Sequence, residues 1–200
     1  MTKNSTVLIV PGLREHVPDH WQTLLAAGLH RVRTVPPLEH DKLSCAARVD
    51  ALDRTLRAID GPVILVAHSA GVMMVAHWSR ILGSRCRIKG ALLATPADVE
   101  NPFPAGYPTT DTLREHGWLP IPRRPLPFPS LVAASRNDPL CTFERAQEMA
   151  HDWGSELEDL GPVGHLNPAA GYGAWPKSME LIRRFDRLHS AQAGSPRAPA

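Results

Sequence analysis

The amino-acid sequence predicts an α/β fold in which helices cover both faces of a parallel six-stranded sheet. Short continuous apolar runs alternate along the chain with longer amphipathic stretches, and this alternation is typical of parallel sheets. Proline and glycine bound the runs, as at Pro11-Gly12 and Gly61-Pro62, where they end strands and helices. A chain of 200 residues is long enough for one such domain.

The apolar runs and two shorter, more polar segments predict strands, and most of the stretches between them predict helices. The expected strands are 7–10, 31–35, 63–67, 88–94, 130–134 and 156–160. The expected helices are 19–29, 45–59, 70–82, 142–153 and 175–189, with a weak helix at 110–116. Asp19 and Ser44 are the expected N-caps of the first two helices, because their side chains can accept from free backbone N–H groups.

Residues 1–188 are expected to form the single domain, with a proline-rich segment at 96–129 that interrupts the alternation. Proline fixes φ and removes a hydrogen-bond donor, so this segment should be irregular but stiff. It is either a surface loop or a lid or pocket wall, since it leaves from the carboxyl end of the fourth strand. Residues 189–200 lack periodicity and are expected to be a disordered tail.

Composition narrows the possible partners and locations. The net charge is +2 with no long basic run, which argues against nucleic acid as the main ligand. The first apolar stretch is too short for a membrane span or a signal sequence, so we expect a cytoplasmic protein. The three cysteines, Cys45, Cys86 and Cys141, match no zinc spacing and are expected to be reduced, buried thiols.

No metal or cofactor is expected. His16 and His20 have the spacing of helical zinc ligands, but Pro18 lies between them and no third ligand is evident. The chain lacks both the glycine-rich dinucleotide fingerprint and the phosphate-binding lysine motif. A flavodoxin-like nucleotide binder nevertheless remains an alternative for an α/β chain of this kind.

The candidate nucleophile is Ser69, in the segment Ala67-His68-Ser69-Ala70-Gly71. This segment joins the most apolar strand to an amphipathic helix, and a sharp turn there pushes the serine hydroxyl out above the sheet. The usual pattern is Gly-x-Ser-x-Gly, so Ala67 departs from it by one methyl group. The alternative is an ordinary serine N-cap of the helix.

A nucleophilic serine needs a histidine to take its proton and a carboxylate to orient that histidine. Asp138 follows the fifth strand and His165 follows the last, which gives the chain order serine, acid, histidine. Both should lie at the same sheet edge as Ser69, because the carboxyl ends of parallel strands share one edge. Asp98, after the fourth strand, is the competing acid. The alternatives are a turn aspartate and a solvated loop histidine.

Two backbone N–H groups should form the oxyanion hole. Ala70 follows the nucleophile directly, and the second donor should come from the loop after the first strand. Pro11 has no N–H and Gly12 permits the turn, so Leu13 is the expected donor.

The chain resembles the small serine hydrolases related to retinoblastoma-binding protein 9, from about Val7 to Leu188. The resemblance rests on several separate stretches, which are Val10-Pro11-Gly12, His20-Trp21-Gln22, His68-Ser69-Ala70-Gly71, Ser135-Arg136-Asn137-Asp138-Pro139, Trp153-Gly154-Ser155, Gly164-His165-Leu166-Asn167 and Gly171-Tyr172-Gly173-Ala174-Trp175-Pro176. It implies a compact α/β-hydrolase fold without a large cap domain. It also implies a triad of Ser69, His165 and Asp138.

The expected activity is therefore hydrolysis of a small ester or amide by acyl transfer, with a small-molecule substrate and no nucleic-acid or membrane partner. The alternative is a non-catalytic protein that keeps the fold and holds a partner in the pocket or on the proline-rich segment. The residues leave the substrate and the oligomeric state open.

Overall fold

The computed structural model describes residues 5–81 and 87–192, and of residues 188–192 it describes only the backbone. Six strands form one parallel sheet in the order β2-β1-β3-β4-β5-β6. The strands are β1 (Thr6–Val10), β2 (Val32–Thr34), β3 (Val63–Ser69), β4 (Ile88–Pro96), β5 (Ser130–Ala134) and β6 (Glu156–Asp159). The helices are α1 (Trp21–Ala27), α2 (Cys45–Arg57), α3 (Ala70–Ser79), α4 (Thr110–Glu115), α5 (Phe143–Trp153) and α6 (Lys177–Gln192), with a short 3-10 helix at Pro168–Ala170.

Alternating residues of each central strand face two separate apolar layers. In β1, Leu8 and Val10 belong to the layer that also holds residues of α2, α3 and α5. Val7 and Ile9 belong to the opposite layer, beside residues of α1 and α6. Since both of their faces are covered, the central strands are mostly apolar, and this explains the continuous apolar runs in the sequence.

The order of the strands fixes where a site can form. The chain goes from β1 to β2 on one side and then returns to place β3 on the other side of β1. The loops after β1 and β3 therefore diverge, and parallel sheets bind their ligands in the crevice at such a reversal.

Several predicted boundaries are corrected by the structure. The N-cap of α1 is His20, not Asp19, because His20 has extended backbone angles and its ring accepts from the N–H of Gln22. α3 ends at Ser79 rather than near position 82. α6 begins at Lys177, just after Pro176, and continues to Gln192, so 189–192 are helical rather than part of a disordered tail. The rest of the expected tail, 193–200, lies outside the described residues.

Tryptophan and cysteine side chains contribute to both apolar layers. Trp21 and Trp153 are fully buried, whereas Trp175 is only partly buried against the α1 and α6 layer. Cys45 and Cys141 are buried and free, and Cys86 lies outside the described residues.

Two tryptophan rings fasten the proline-rich segment 96–129 to the rest of the fold. The indole N–H of Trp118 donates to the carbonyl of Leu43 (2.7 Å), in the loop before α2. The indole N–H of Trp153, in α5, donates to the carbonyl of Pro122 (2.8 Å). These long-range bonds hold the second half of the segment against the domain.

Within the part of the chain that the structure describes, no helix combines the length and the apolar character needed to cross a lipid bilayer.

Candidate active site

Ser69 occupies a sharp turn in which strand β3 passes directly into helix α3. Its φ of 58° and ψ of −128° lie outside the ordinary regions for a residue with a side chain. The hydroxyl does not cap the helix, which argues against the interpretation of Ser69 as an ordinary N-cap. The strained backbone instead presents the side chain above the carboxyl edge of the sheet.

The turn depends on a close approach between α3 and the end of β1. A Cβ atom at Gly71 would lie 2.3 Å from the carbonyl oxygen of Val10 and 2.8 Å from that of Pro11. Only glycine fits this position without a shift of the backbone. Ala67, which departs from the usual pattern by one methyl group, is fully buried and pairs in register with Val10. The extra methyl group is thus accommodated inside the sheet.

Three side chains from different loops form one chain of hydrogen bonds at this edge. The Ser69 hydroxyl lies 2.8 Å from Nε2 of His165. Nδ1 of the same ring lies 2.9 and 2.8 Å from the two carboxylate oxygens of Asp138. The side chains of His165 and Asp138 are 6% and 2% exposed, so water competes little for these bonds. A neutral ring with its proton on Nδ1 donates to Asp138 and accepts from Ser69.

Asp98, the competing acid, is hydrogen-bonded to residues other than His165. Arg145 donates to both of its carboxylate oxygens, at 2.8 and 3.2 Å, and Asn101 also donates to it. Burial acts to raise the pKa of Asp98, but the hydrogen bonds from Arg145 and Asn101 hold it below its ordinary value. Asp98 therefore contributes to an ion pair between the loop after β4 and helix α5, and not to the chain of hydrogen bonds around His165.

Comparison with known proteins decides the family. The family model for serine hydrolases matches residues 7–184. A solved putative YdeN-like hydrolase from Pectobacterium atrosepticum is 32% identical, with 94% of this chain and 93% of that chain covered and a TM-score of 0.77. The chain belongs to the serine hydrolase family. The predicted α/β-hydrolase fold is thereby confirmed, while the nearer relation to retinoblastoma-binding protein 9 stays a prediction.

More distant structures share the fold of this serine hydrolase. The ydeN gene product from Bacillus subtilis is 18% identical, with 90% of this chain and 98% of that chain covered and a TM-score of 0.66. Est1E from Butyrivibrio proteoclasticus, solved with ferulic acid, is 12% identical, with 98% and 92% covered and a TM-score of 0.67. A search of curated proteins found no match.

The loops of this serine hydrolase that carry Asp138 and His165 are tied to each other. The side-chain oxygen of Asn137 accepts from the N–H of Gly164 (2.6 Å), directly before His165. The hydroxyl of Ser135 accepts from the N–H of Val163 (3.2 Å). These bonds fix the distance between the two loops, so the pairing of carboxylate and imidazole does not rest on the two side chains alone.

Two further histidines lie beside His165. The ring centroids of His68 and His165 are 4.9 Å apart, and those of His20 and His68 are 4.5 Å apart. Burial, and then the nearby His165, lower the pKa of His20 to about 4. The same causes lower the pKa of His68 well below its ordinary value. Both neighbouring rings are therefore neutral at physiological pH and add no charge beside His165.

Buried polar side chains hold the loop after β1. The amide of Gln22 donates to the carbonyls of Val10 (3.2 Å) and Val66 (2.9 Å), which bridges the ends of β1 and β3. The guanidinium of Arg48, only 5% exposed, donates to the carbonyl of Leu13 (3.3 Å). Together they fix both ends of the segment that contains the expected oxyanion donor.

A cavity of about 330 Å³ opens over Ser69. Its floor includes Ser69, Ala70 and His165, and Leu13 lines it from the loop after β1. The proline-rich segment supplies another wall, with Phe103, Tyr107, Leu113 and Trp118. The volume falls in the range of small-molecule sites, and the mixture of apolar walls and few polar groups is typical of them.

The sequence motifs predict the three hydrogen-bonded side chains but not the polar side chains that hold their loops in place. Gln22, Arg48 and Asn137 lie in motifs or helices where a polar side chain could equally face solvent. Two sequence features could have indicated buried polar side chains, namely a glutamine directly after a buried tryptophan and an arginine on the apolar side of α2. Among the described residues, no group of three or more His, Cys, Asp or Glu side chains is arranged to hold a metal ion.

Proposed function

We propose that this serine hydrolase cleaves a small ester or amide by acyl transfer, with Ser69 as nucleophile, His165 as general base and acid, and Asp138 as the orienting carboxylate. The observation that carries the proposal is the continuous hydrogen-bonded chain Ser69–His165–Asp138, with distances of 2.8 Å on both sides of the ring. Such a chain converts a poorly nucleophilic hydroxyl into one that can attack a carbonyl.

The steps follow from the geometry. The Ser69 oxygen attacks the substrate carbonyl carbon while its proton passes to Nε2 of His165. The imidazolium returns that proton to the leaving alcohol or amine as the carbon–heteroatom bond breaks, which leaves an acyl ester on Ser69. Water, deprotonated by His165, then releases the acid and restores the hydroxyl. Asp138 stabilises the imidazolium charge in both halves of the reaction.

The backbone N–H groups of Ala70 and Leu13 are the proposed oxyanion hole. Ala70 is the first residue of α3, and the first N–H groups of a helix have no acceptor within it. The N–H of Leu13 has no acceptor among the described residues, and both residues line the cavity. Two such donors can stabilise the negative charge that develops on the carbonyl oxygen.

A non-catalytic binding protein is the less supported alternative. It would gain nothing from a strained backbone at Ser69 or from a histidine and a carboxylate buried behind the serine. Strain of this kind costs about 1–3 kcal/mol and persists where the position is used. Membership of the serine hydrolase family points the same way.

A fluorophosphonate probe, which modifies only activated serines, tests the proposal. We expect rapid labelling of the wild type and none of Ser69→Ala, with kcat for an activated ester lowered about 10⁴- to 10⁶-fold. Ser79→Ala is the matched control, because that hydroxyl only bonds the carbonyl of Ala76. If well-folded wild type is not labelled and hydrolyses no ester, the catalytic proposal is wrong.

We further propose that residues 1–188 act as one cytoplasmic domain without nucleic acid, membrane or cofactor. Two described cysteines are buried free thiols, as in a reducing compartment, and the net charge of +2 is small. Cell fractionation of the tagged protein tests the location, since recovery in the membrane or secreted fraction would contradict it.

A further inference from the structure

We propose that the cavity over Ser69 recognises a carboxylate on its substrate through Arg14, so that the preferred substrate is an ester or amide carrying an additional negative charge. The inference rests on the proposed hydrolytic function and adds to it the chemical class of the substrate. It is carried by the position of Arg14, by its contact with Tyr107 and by the distribution of charge around the cavity.

Arg14 follows the proposed oxyanion donor Leu13 directly in the loop after β1, and its side chain lines the same cavity as Ser69. The guanidinium carbon lies 5.5 Å from the ring centroid of Tyr107, which lines the cavity from the proline-rich segment. Tyr107 is itself packed against Phe103, with ring centroids 5.9 Å apart. The exposed guanidinium of Arg14 therefore contacts the wall that the proline-rich segment contributes to the cavity.

Arg14 has no anionic partner among the residues that the structure describes. Glu15 is the adjacent carboxylate, but it lies 3.4 Å from Arg48 and 3.8 Å from Lys42 and accepts from the N–H of Leu38. No carboxylate of the described residues lies within 4.0 Å of Arg14. Lys42 and Glu15 also line the cavity. Because Arg14, Lys42 and Arg48 stand against the single carboxylate of Glu15, this side of the cavity has an excess of positive charge.

The contact with Tyr107 suits a guanidinium that binds a second partner. A guanidinium over an aromatic ring uses its flat face for that contact and keeps its N–H groups at the edge. Those N–H groups match the two oxygens of a carboxylate. A substrate with its reactive carbonyl at Ser69 and a carboxylate at Arg14 would place its apolar middle part against the walls of the cavity.

Matched esters test this preference. The first pair is 4-nitrophenyl hydrogen adipate and its neutral isostere 4-nitrophenyl 6-methylheptanoate. The second pair, 4-carboxyphenyl hexanoate and 4-carbamoylphenyl hexanoate, moves the charge to the leaving group. We expect wild type to have a kcat/KM about tenfold higher for the anionic member of at least one pair. The preferred pair tells which half of the substrate carries the charge.

The variants Arg14→Gln and Tyr107→Leu should reduce the anionic-to-neutral ratio of kcat/KM toward one. Arg33→Gln is the control, because this exposed arginine lies on β2 and bonds only the carbonyl of Val32; its ratio should equal that of wild type. Added NaCl should lower the wild-type ratio and leave the Arg14→Gln ratio unchanged, since salt screens an exposed charge pair.

The outcomes separate this inference from the proposed function. The carboxylate site is overturned, while hydrolysis itself stands, if the wild-type anionic-to-neutral ratio of kcat/KM is one or less in both pairs. It is also overturned if Arg14→Gln keeps the wild-type preference for the anionic ester. If the wild type hydrolyses none of these esters and is not labelled by the fluorophosphonate probe, the proposed function is overturned instead. Binding of adipate monomethyl ester and methyl 6-methylheptanoate to Ser69→Ala, measured by calorimetry, tests the same preference without turnover.

Discussion

His68 donates a hydrogen bond from Nε2 to the backbone carbonyl oxygen of His165, at 2.9 Å. The residue directly before the candidate nucleophile thus holds the backbone of the residue that carries the candidate base. Burial keeps the His68 ring neutral, and because the carbonyl can only accept, the ring proton must be on Nε2. We therefore expect His68 to be a positioning residue that acts through His165.

Replacement of His68 should therefore affect turnover more than binding. We expect His68→Ala to lower kcat about tenfold, equivalent to about 1.4 kcal/mol, with little change in KM for a 4-nitrophenyl ester. His68→Gln, whose amide can still donate, should recover part of the loss. A purely structural role would lower the free energy of unfolding in both variants and leave kcat of the folded enzyme unchanged.

The two candidate acids should behave differently. Asp138→Asn should lower kcat about 10⁴-fold, because the amide can no longer orient and stabilise the His165 ring. Asp98→Asn should retain activity but lower the free energy of unfolding by about 1–3 kcal/mol, because it weakens the partly buried pair with Arg145. Steady-state kinetics and urea unfolding of both variants check this, and the reverse ranking of kcat would assign the acid to Asp98.

The close approach at Gly71 predicts a sharp difference between two glycine substitutions. Gly71→Ala should abolish most activity and lower the free energy of unfolding by several kcal/mol, on the order of other overpacked sites, because its Cβ overlaps the carbonyl of Val10. Gly28→Ala should be close to neutral, since its Cβ would meet its nearest atom at 3.6 Å. Equal stability of the two variants would mean that the contact between α3 and β1 can relax.

The buried histidines predict a loss of stability in acid. His20 has an ordinary pKa of 6.5, which the unfolded state should retain, and a folded pKa of about 4. Between these values the unfolded chain binds more protons, so the free energy of unfolding falls as pH drops from about 6.5 to about 4. The difference corresponds to about 3 kcal/mol, and His68 acts in the same direction.

Urea unfolding at pH 7.5, 5.5 and 4.5 measures this loss. His20→Asn keeps an acceptor for the N–H of Gln22, which now bonds the His20 ring, and removes the titrating group. The variant should lose less stability in acid than wild type does. If the free energy of unfolding falls equally with pH in both proteins, His20 is not the cause of the loss of stability in acid.

Local patterns were sufficient to predict most of the fold. Continuous apolar runs identified the four central strands β1, β3, β4 and β5, because a strand buried on both faces has no polar side to alternate with. The short edge strands β2 and β6 carry exposed polar residues and have no such run. The ends of helices were less predictable. Asp19 and His20 are adjacent, and which of them caps α1 depends on the packing of His20 against His68, a residue far along the chain.

The sequence by itself determined the parallel sheet, the order of serine, acid and histidine, and their places after successive strands, because these depend on apolar periodicity and on the shared edge of parallel strands. Only the tertiary structure decided how the surroundings of Asp98 and Asp138 differ. Both follow strands, but the carboxylate of Asp138 reaches the His165 ring, whereas that of Asp98 meets Arg145 from α5. The contacts of His68, Gln22 and Arg48 likewise appear only in the tertiary structure, since a hydrogen bond between residues distant in the chain leaves no periodic signal in the sequence.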